Sequence, residues 1–139
     1  MFVLALGITI AVNSNLGISP VSSLPYVFSV ITGMSMGLWT ILVYLVFILV
    51  QLVLLRKEFK IRDLSQLLFS FVFGYFINFT SVLLGGFVPT TYPGQLAMAL
   101  IAIFLIALGV ELYVSPNIVN MPMEAMCAAI NKKILKKLA

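Results

Sequence analysis

The chain contains no histidine, a single cysteine and only four acidic residues among 139. Without imidazoles or a second thiol there is no thiolate or imidazole metal cluster, no internal disulfide and no Cys/His or Ser/His/Asp nucleophile system. The chain is therefore expected to hold no metal and no cofactor, and not to be an enzyme. Charge is scarce as well: 9% of residues are charged and 63% hydrophobic, against about 25% and about 45–50% in ordinary globular chains. So few polar side chains cannot cover a water-facing surface, and the expected solvent is lipid. The eight cations fall in two short clusters, Arg56–Arg62 and Lys132–Lys137. Basic residues grouped at chain breaks, and not along a polar face, suit anionic lipid headgroups better than nucleic acid.

The apolar runs divide the chain. Met1–Val12 is apolar except for Thr9, and no basic residue precedes it to make a signal peptide, so it is expected to stay in the mature protein. Twelve helical residues rise only about 18 Å, short of the about 30 Å hydrocarbon core, and the segment must borrow Asn13–Leu16 or thin the bilayer. Gly17–Gly33 reads as a short helix with Ser19 as its cap and Pro20 in its first turn. Met36–Leu55 is an unbroken run of twenty, long enough to span, with Trp39 suited to the interface. After the charged loop Arg56–Asp63, Leu64–Val88 supplies a second span. Its Gln66, Ser70, Gly74 and Asn78 recur every fourth residue, a small or polar stripe of the kind that packs on other helices. Gly85, Gly86, Pro89 and Pro93 mark a loop, Leu96–Val114 forms a third span, and Ser115–Ile130 is a Pro-containing piece followed by a basic tail.

Shifted by 102 positions, the sequence matches itself at Phe2 and Phe104, Ala5-Leu6-Gly7 and Ala107-Leu108-Gly109, Val12 and Val114, Asn15 and Asn117, and Pro20 and Pro122. The shared order of span, polar break, Asn, Pro and short helix reads as an internal repeat, with residues 1–94 as a first copy and 95–139 as a truncated second. Charge sets its orientation. Lysine and arginine near span ends resist translocation, so both basic clusters are expected in the cytoplasm. Two spans separate them, which leaves Ser115–Ile130 re-entrant or interfacial. Met36–Leu55 then starts outside, Gly17–Gly33 lies on the outer side, and the two copies point in opposite directions. Inverted repeats with broken helices recur in secondary transporters, where half-helix N-termini aim at substrate near the midplane.

The string GITIAVNSNLGISPVSSLPYVFSVITGMSMGLWTILV resembles the opening of the YczE/YitT-like family of small bacterial polytopic membrane proteins. The resemblance implies a break carrying Asn, Gly and Pro after the first span, and a Gly-led second span. It also implies a third-helix motif, present here as Gly74-Tyr75-Phe76-Ile77-Asn78, with Asn78 where similar proteins often carry Asp. The second copy keeps Asn117 and Pro122, and has Glu124 at a position where an acidic residue is common. The family further implies two spans beyond residue 139. By the 102-residue offset the partner of Met36–Leu55 would occupy positions 138–157, so the chain is expected to be a fragment or to complete its bundle with a second subunit, as a homo-oligomer.

Each candidate site residue carries a chemical and a structural reading. Glu111 shares a helical face with Ala107, and a carboxylate within a span costs about 2.5–3.5 kcal/mol at the bilayer centre, which points to an ion or proton site; near a helix end it instead snorkels to the headgroups. Glu124 sits at the third position of its short helix, where it caps free N–H groups, or joins Asn117 and Asn120 in a cation site. Asn13, Asn15 and Ser19 repair the backbone at the first break or contact a solute. Asn78 makes an interhelical hydrogen bond or lines a pathway. Lys132, Lys133, Lys136 and Lys137 meet anionic headgroups or simply anchor the topology.

The sequence thus predicts an all-α integral membrane protein with three full transmembrane helices and two short Pro-started re-entrant or interfacial helices, an incomplete inverted-topology repeat. It would lie in a bacterial plasma membrane with the 56–63 loop and the C-terminal tail cytoplasmic. The function expected is a transporter or permease moving a small polar solute or ion through a midplane site where the two Pro-started helices approach. The alternative is a non-transporting scaffold or accessory subunit that packs through small-residue helix faces.

Overall fold

The structure is a computed structural model, and it describes residues 1–55, 61–114, 122, 126–127 and 129–131. Five helices follow in order: α1 Phe2–Ser14, α2 Pro20–Thr32, α3 Met36–Leu55, α4 Ile61–Leu83 and α5 Tyr92–Val114. Among the described residues every regular element is helical. Three helices are long and apolar enough to cross a membrane, over Met36–Leu54, Ser65–Leu83 and Tyr92–Leu112. At 1.5 Å per residue these 19 to 21 residues rise about 28–32 Å, the thickness of a hydrocarbon core. The 13-residue α1 and α2 rise about 20 Å and fall short on their own.

Local chemistry explains the ends. Asn15 terminates α1 in the left-handed region, φ 59°, a conformation that asparagine tolerates better than most residues. Ser19 caps α2, its Oγ accepting the Ser22 N–H at 3.4 Å, and Pro20 occupies the first turn where its missing N–H has no helical partner to lose. Gly33 closes α2 at φ 68°. Three expected bounds move, the first being the start of the second span, where α4 begins at Ile61 and takes residues 61–63 from the expected charged loop. The second span stops at Leu83 and not Val88, because Gly85 and Gly86 at φ 53° and 67° turn the chain out of the helix. The third starts at Tyr92 and not Leu96, since Pro93 in a first turn starts a helix instead of barring it.

Lipid offers apolar side chains no reason to leave it, so these helices associate through close backbone approach and polar links. In the antiparallel pair α3 and α4, Gly37 and Gly74 are in backbone contact, and the Gly37 N–H donates to Asn78 Oδ1 at 3.0 Å. The small or polar stripe of α4 thus faces α3, with Gln66 and Ser70 both 3% exposed. The three-residue connection after Thr32 folds α2 onto α3, where Phe28 stacks on Trp39 at 4.7 Å and Trp39 Nε1 donates to Thr32 Oγ1 at 2.7 Å. α1 packs between α4 and α5. Its Leu4, Ala5 and Ile8 join Val43, Tyr44, Phe73 and Ile77 in the core, and Thr9 and Thr80 share a buried 2.8 Å hydrogen bond.

The contact of α1 with α5 is reciprocal. A Cβ placed on Gly7 would come within 2.8 Å of Ile106 Cγ1, and one on Gly109 within 2.7 Å of Leu4 Cα. Under the 102-residue offset Gly7 corresponds to Gly109 and Leu4 to Ile106, so the two contacts exchange with each other. They also run in opposite senses along the two helices, which makes the pair antiparallel.

Candidate functional site

The break after α1 is the most polar stretch of the described membrane segments. Ser14 is fully buried, its Oγ donating to the Ala11 carbonyl at 2.7 Å and accepting the Leu16 N–H at 3.4 Å. Those bonds repair the backbone where the helix stops. Ser19 does the same for α2, and Ser23 Oγ donates to the Pro20 carbonyl at 2.7 Å. Asn15, at the turn itself, is exposed. One polar group is left over: the Nδ2 of the half-buried Asn13 is itself buried and has no hydrogen-bond partner among the described residues. A donor in that condition costs about 1–3 kcal/mol, and Asn13 is not among the residues that line the neighbouring cleft.

Beside the break lies a cleft of about 580 Å³. Ser14 and Leu16 to Ser19 form one wall, and Ala99, Ala102, Ile103 and Ile106 of α5 form the other. The alanines open it, because small side chains on α5 leave unfilled the space that α1 vacates when it ends. The positive end of the α2 dipole lies at Ser19, which is on the cleft wall.

The other candidates fall elsewhere. Asn78 is spent on the Gly37 N–H, and so acts as interhelical glue at the head of α3. Glu111 is exposed, one turn from the end of α5. Because α5 runs antiparallel to α1 with Gly109 on Leu4, Glu111 is level with the start of α1, whereas Asn15 is at its end. That separates them by about 20 Å along the axis, and one site cannot hold both. Asn117, Asn120, Glu124, Lys132, Lys133, Lys136 and Lys137 lie outside the described residues, as does the 56–60 part of the charged loop and most of the Ser115–Ile130 segment.

The sequence pattern of DUF6198, a family of unknown function, matches residues 1–139. The chain belongs to that family. No curated protein and no solved structure matches it.

In this DUF6198 chain two polar links escaped the sequence reading. Gln51 and Gln66, each 3% exposed, meet between α3 and α4, and Gln51 Nε2 donates both to Gln66 Oε1 at 3.4 Å and to the Pro122 carbonyl at 2.8 Å. Gln51 is the lone amide in the twenty-residue α3 run, and an unpartnered amide in a span was the available signal. The second is the Thr9–Thr80 pair, where each hydroxyl is also within bonding distance of a carbonyl of its own helix. Hydroxyls satisfied in this way leave no trace in hydropathy. Thr80 and Gln66 are fourteen residues apart, about 21 Å along α4. Pro122 is therefore anchored at one end of α4 and the crossing of α1 is at the other.

Proposed function

We propose that this DUF6198 protein is a small permease-like membrane protein in which a polar solute or ion passes through the cleft at the first helix break. The cleft itself carries the reading: a short apolar helix that stops at a left-handed Asn15, with about 580 Å³ beside it and the hydroxyl-bearing Ser14 and Ser19 on its wall. Discontinuous helices whose backbone lines a cavity are how transporters place polar groups within a bilayer. Ser14 and Ser19 are the polar side chains on the cleft wall and the solute-facing groups in this scheme, Asn13 and Asn15 not being among its lining residues, and the α2 N-terminus favours an anionic or carbonyl-bearing portion of the solute. Glu111 is not part of this site.

The inverted repeat belongs to the same proposal. The exchanging Gly7 and Gly109 contacts support two-fold related copies crossing at α1 and α5, and the anchoring of Pro122 far from the α1 crossing supports Pro-started elements at opposite faces. Asn117 and Glu124 would then build an equivalent break at the other face. The YczE/YitT-like resemblance of the first span and its break implies the same architecture, in a bacterial plasma membrane with both basic clusters inside.

Cysteine accessibility tests the path. In a Cys127→Ser background, Ala99→Cys on the cleft wall should react with a water-soluble cationic methanethiosulfonate at a rate comparable to a loop cysteine, while Ile101→Cys on the outer face of α5 should not. Reaction of Ala99→Cys with lipid-soluble reagents alone would mean a dry groove and would end the permease reading. The scaffold reading would then stand, favoured by the use of Asn78, Gln51, Gln66 and Thr80 in helix contacts.

A further inference from the structure

The crossing of α3 and α4 leaves a groove beside it. Gly37 and Gly74 bring the two backbones into contact, so no side chain fills the crossing and those flanking it stand up as walls. Leu38 and Ile41 form one wall, Phe71, Val72 and Tyr75 the other, with Asn78 at the end nearest Leu83, around about 470 Å³. The groove opens outward, where Phe71, Val72 and Tyr75 are exposed. Asn78 is only half used by the helix contact. Its Oδ1 accepts the Gly37 N–H at 3.0 Å, which fixes the other atom of the amide as the nitrogen. That Nδ2 has no hydrogen-bond partner among the described residues and, unlike Nδ2 of Asn13, is not shut in by protein. Lipid tails offer no acceptor, so N–H donors bordering hydrocarbon require one from elsewhere.

Depth selects the acceptor. Gly37 is the second residue of α3 and two before Trp39, a residue type that gathers at the interface. Asn78, bonded to Gly37, is therefore level with the edge of the hydrocarbon core, where phospholipid ester carbonyls lie. Phe71 is seven residues deeper, about 10 Å along the axis, and apart from the Tyr75 hydroxyl the side chains between are apolar. We infer that this groove binds one acyl chain of a phospholipid, its ester carbonyl accepting from Asn78 Nδ2 and its tail lying between Ile41 and Phe71. Complementary partial charge chooses this occupant: the amide hydrogens need an oxygen at the mouth, and the walls below need hydrocarbon. A helix from another subunit would bring a backbone whose acceptors are already spent within it. The inference does not rest on transport.

Photolabelling of the full chain in vesicles tests it. The probe is a trace of diester phosphatidylcholine with a diazirine midway along one chain, and its adducts are mapped by peptide mass. Phe104 is the control. It lies as far into α5 from Tyr92 as Phe71 lies into α4 from Leu83, and is 65% exposed against 53%, so neither residue type, depth nor exposure favours Phe71. In vesicles of a diether phosphatidylcholine, which has no ester carbonyl to compete, Phe71 should be labelled at least fivefold more than Phe104. In vesicles of the diester the ratio should fall toward unity. Asn78→Asp keeps the acceptor for the Gly37 N–H and removes the donor, and Val72→Trp fills the groove at a 39% exposed position; each should abolish the preference in the diether host. Equal yields at Phe71 and Phe104 in that host would overturn the proposal, as would a preference that persists in the diester host or in either variant. So would labelling at Phe104 with none at Phe71, the pattern given by protein covering the groove. The comparison of hosts uses the unaltered chain, so it decides the matter even where a variant fails to insert.

Discussion

Replacing Gly37 with alanine tests how closely α3 and α4 are packed. The added methyl would fall 2.5 Å from Asn78 Oδ1 and 2.6 Å from Asn78 Cγ, and closer still to the Gly74 carbonyl oxygen. Carbon contacts are optimal at about 3.5–4.0 Å, so the helices must separate by roughly 1 Å. The obstacle includes the α4 backbone, which cannot rotate away as a side-chain tip can. Overpacking of this kind costs about 1–3 kcal/mol. The same separation stretches the 3.0 Å bond from the Gly37 N–H to Asn78 beyond bonding range, a further loss of about 1 kcal/mol. The expected destabilisation is therefore about 2–4 kcal/mol, read from SDS titration of helicity in mixed micelles. Asn78→Ala removes only the hydrogen bond and should cost about 1 kcal/mol. The double variant should cost less than the two added together, because removing the Asn78 side chain clears part of the space the methyl needs. If Gly37→Ala unfolds within about 0.5 kcal/mol of the parent, the ordinary range for surface substitutions, the close approach of these helices is refuted.

The same titration should show Gly109→Ala and Gly7→Ala to be destabilising alike, by about 1–3 kcal/mol. A methyl on Gly109 meets the Leu4 backbone at 2.7 Å, and one on Gly7 meets the Ile106 backbone N at 2.9 Å; a neutral result at both positions would contradict the packing of α1 on α5. Thr80→Val keeps shape and removes the hydroxyl from the Thr9 pair, with an expected loss of about 0.5–1.5 kcal/mol; a stabilised variant would mean the pair holds nothing together. Gln51→Leu leaves the Pro122 carbonyl without its donor, and should raise the rate of maleimide labelling at the exposed Cys127 several-fold. An unchanged rate would show that this bond does not anchor the segment. Finally, if both basic clusters are cytoplasmic as proposed, a membrane-impermeant maleimide should label Cys127 in inverted vesicles and not in intact cells; labelling only in intact cells would reverse the proposed orientation.

Composition alone determined the solvent. With 9% charged residues the chain had no means of facing water, and uninterrupted runs of hydrocarbon length made spans inevitable wherever backbone N–H and C=O groups had to be satisfied within one helix. Met36–Leu55 was legible to the residue for that reason, as was α2 from Ser19, Pro20 and Gly33, whose backbone preferences are local. The ends at Leu83 and Tyr92 were less so, because Pro93 reads equally as a loop residue and as a first-turn residue.

Tertiary structure decided which polar groups meet. The Asn78 stripe announced a packing face, but only the fold showed that its partner is a backbone N–H exposed by glycine at the head of α3. The proposed repeat would make Thr9 and Glu111 equivalent under the 102-residue offset, yet one is 3% exposed against α4 and the other is exposed. A sequence periodicity states which residues share a helix face; it does not say what lies opposite, because that depends on which helices the connections bring together. For the same reason the candidates Asn15 and Glu111 end up at opposite ends of α1: the antiparallel crossing with α5, set by two glycines, separates them.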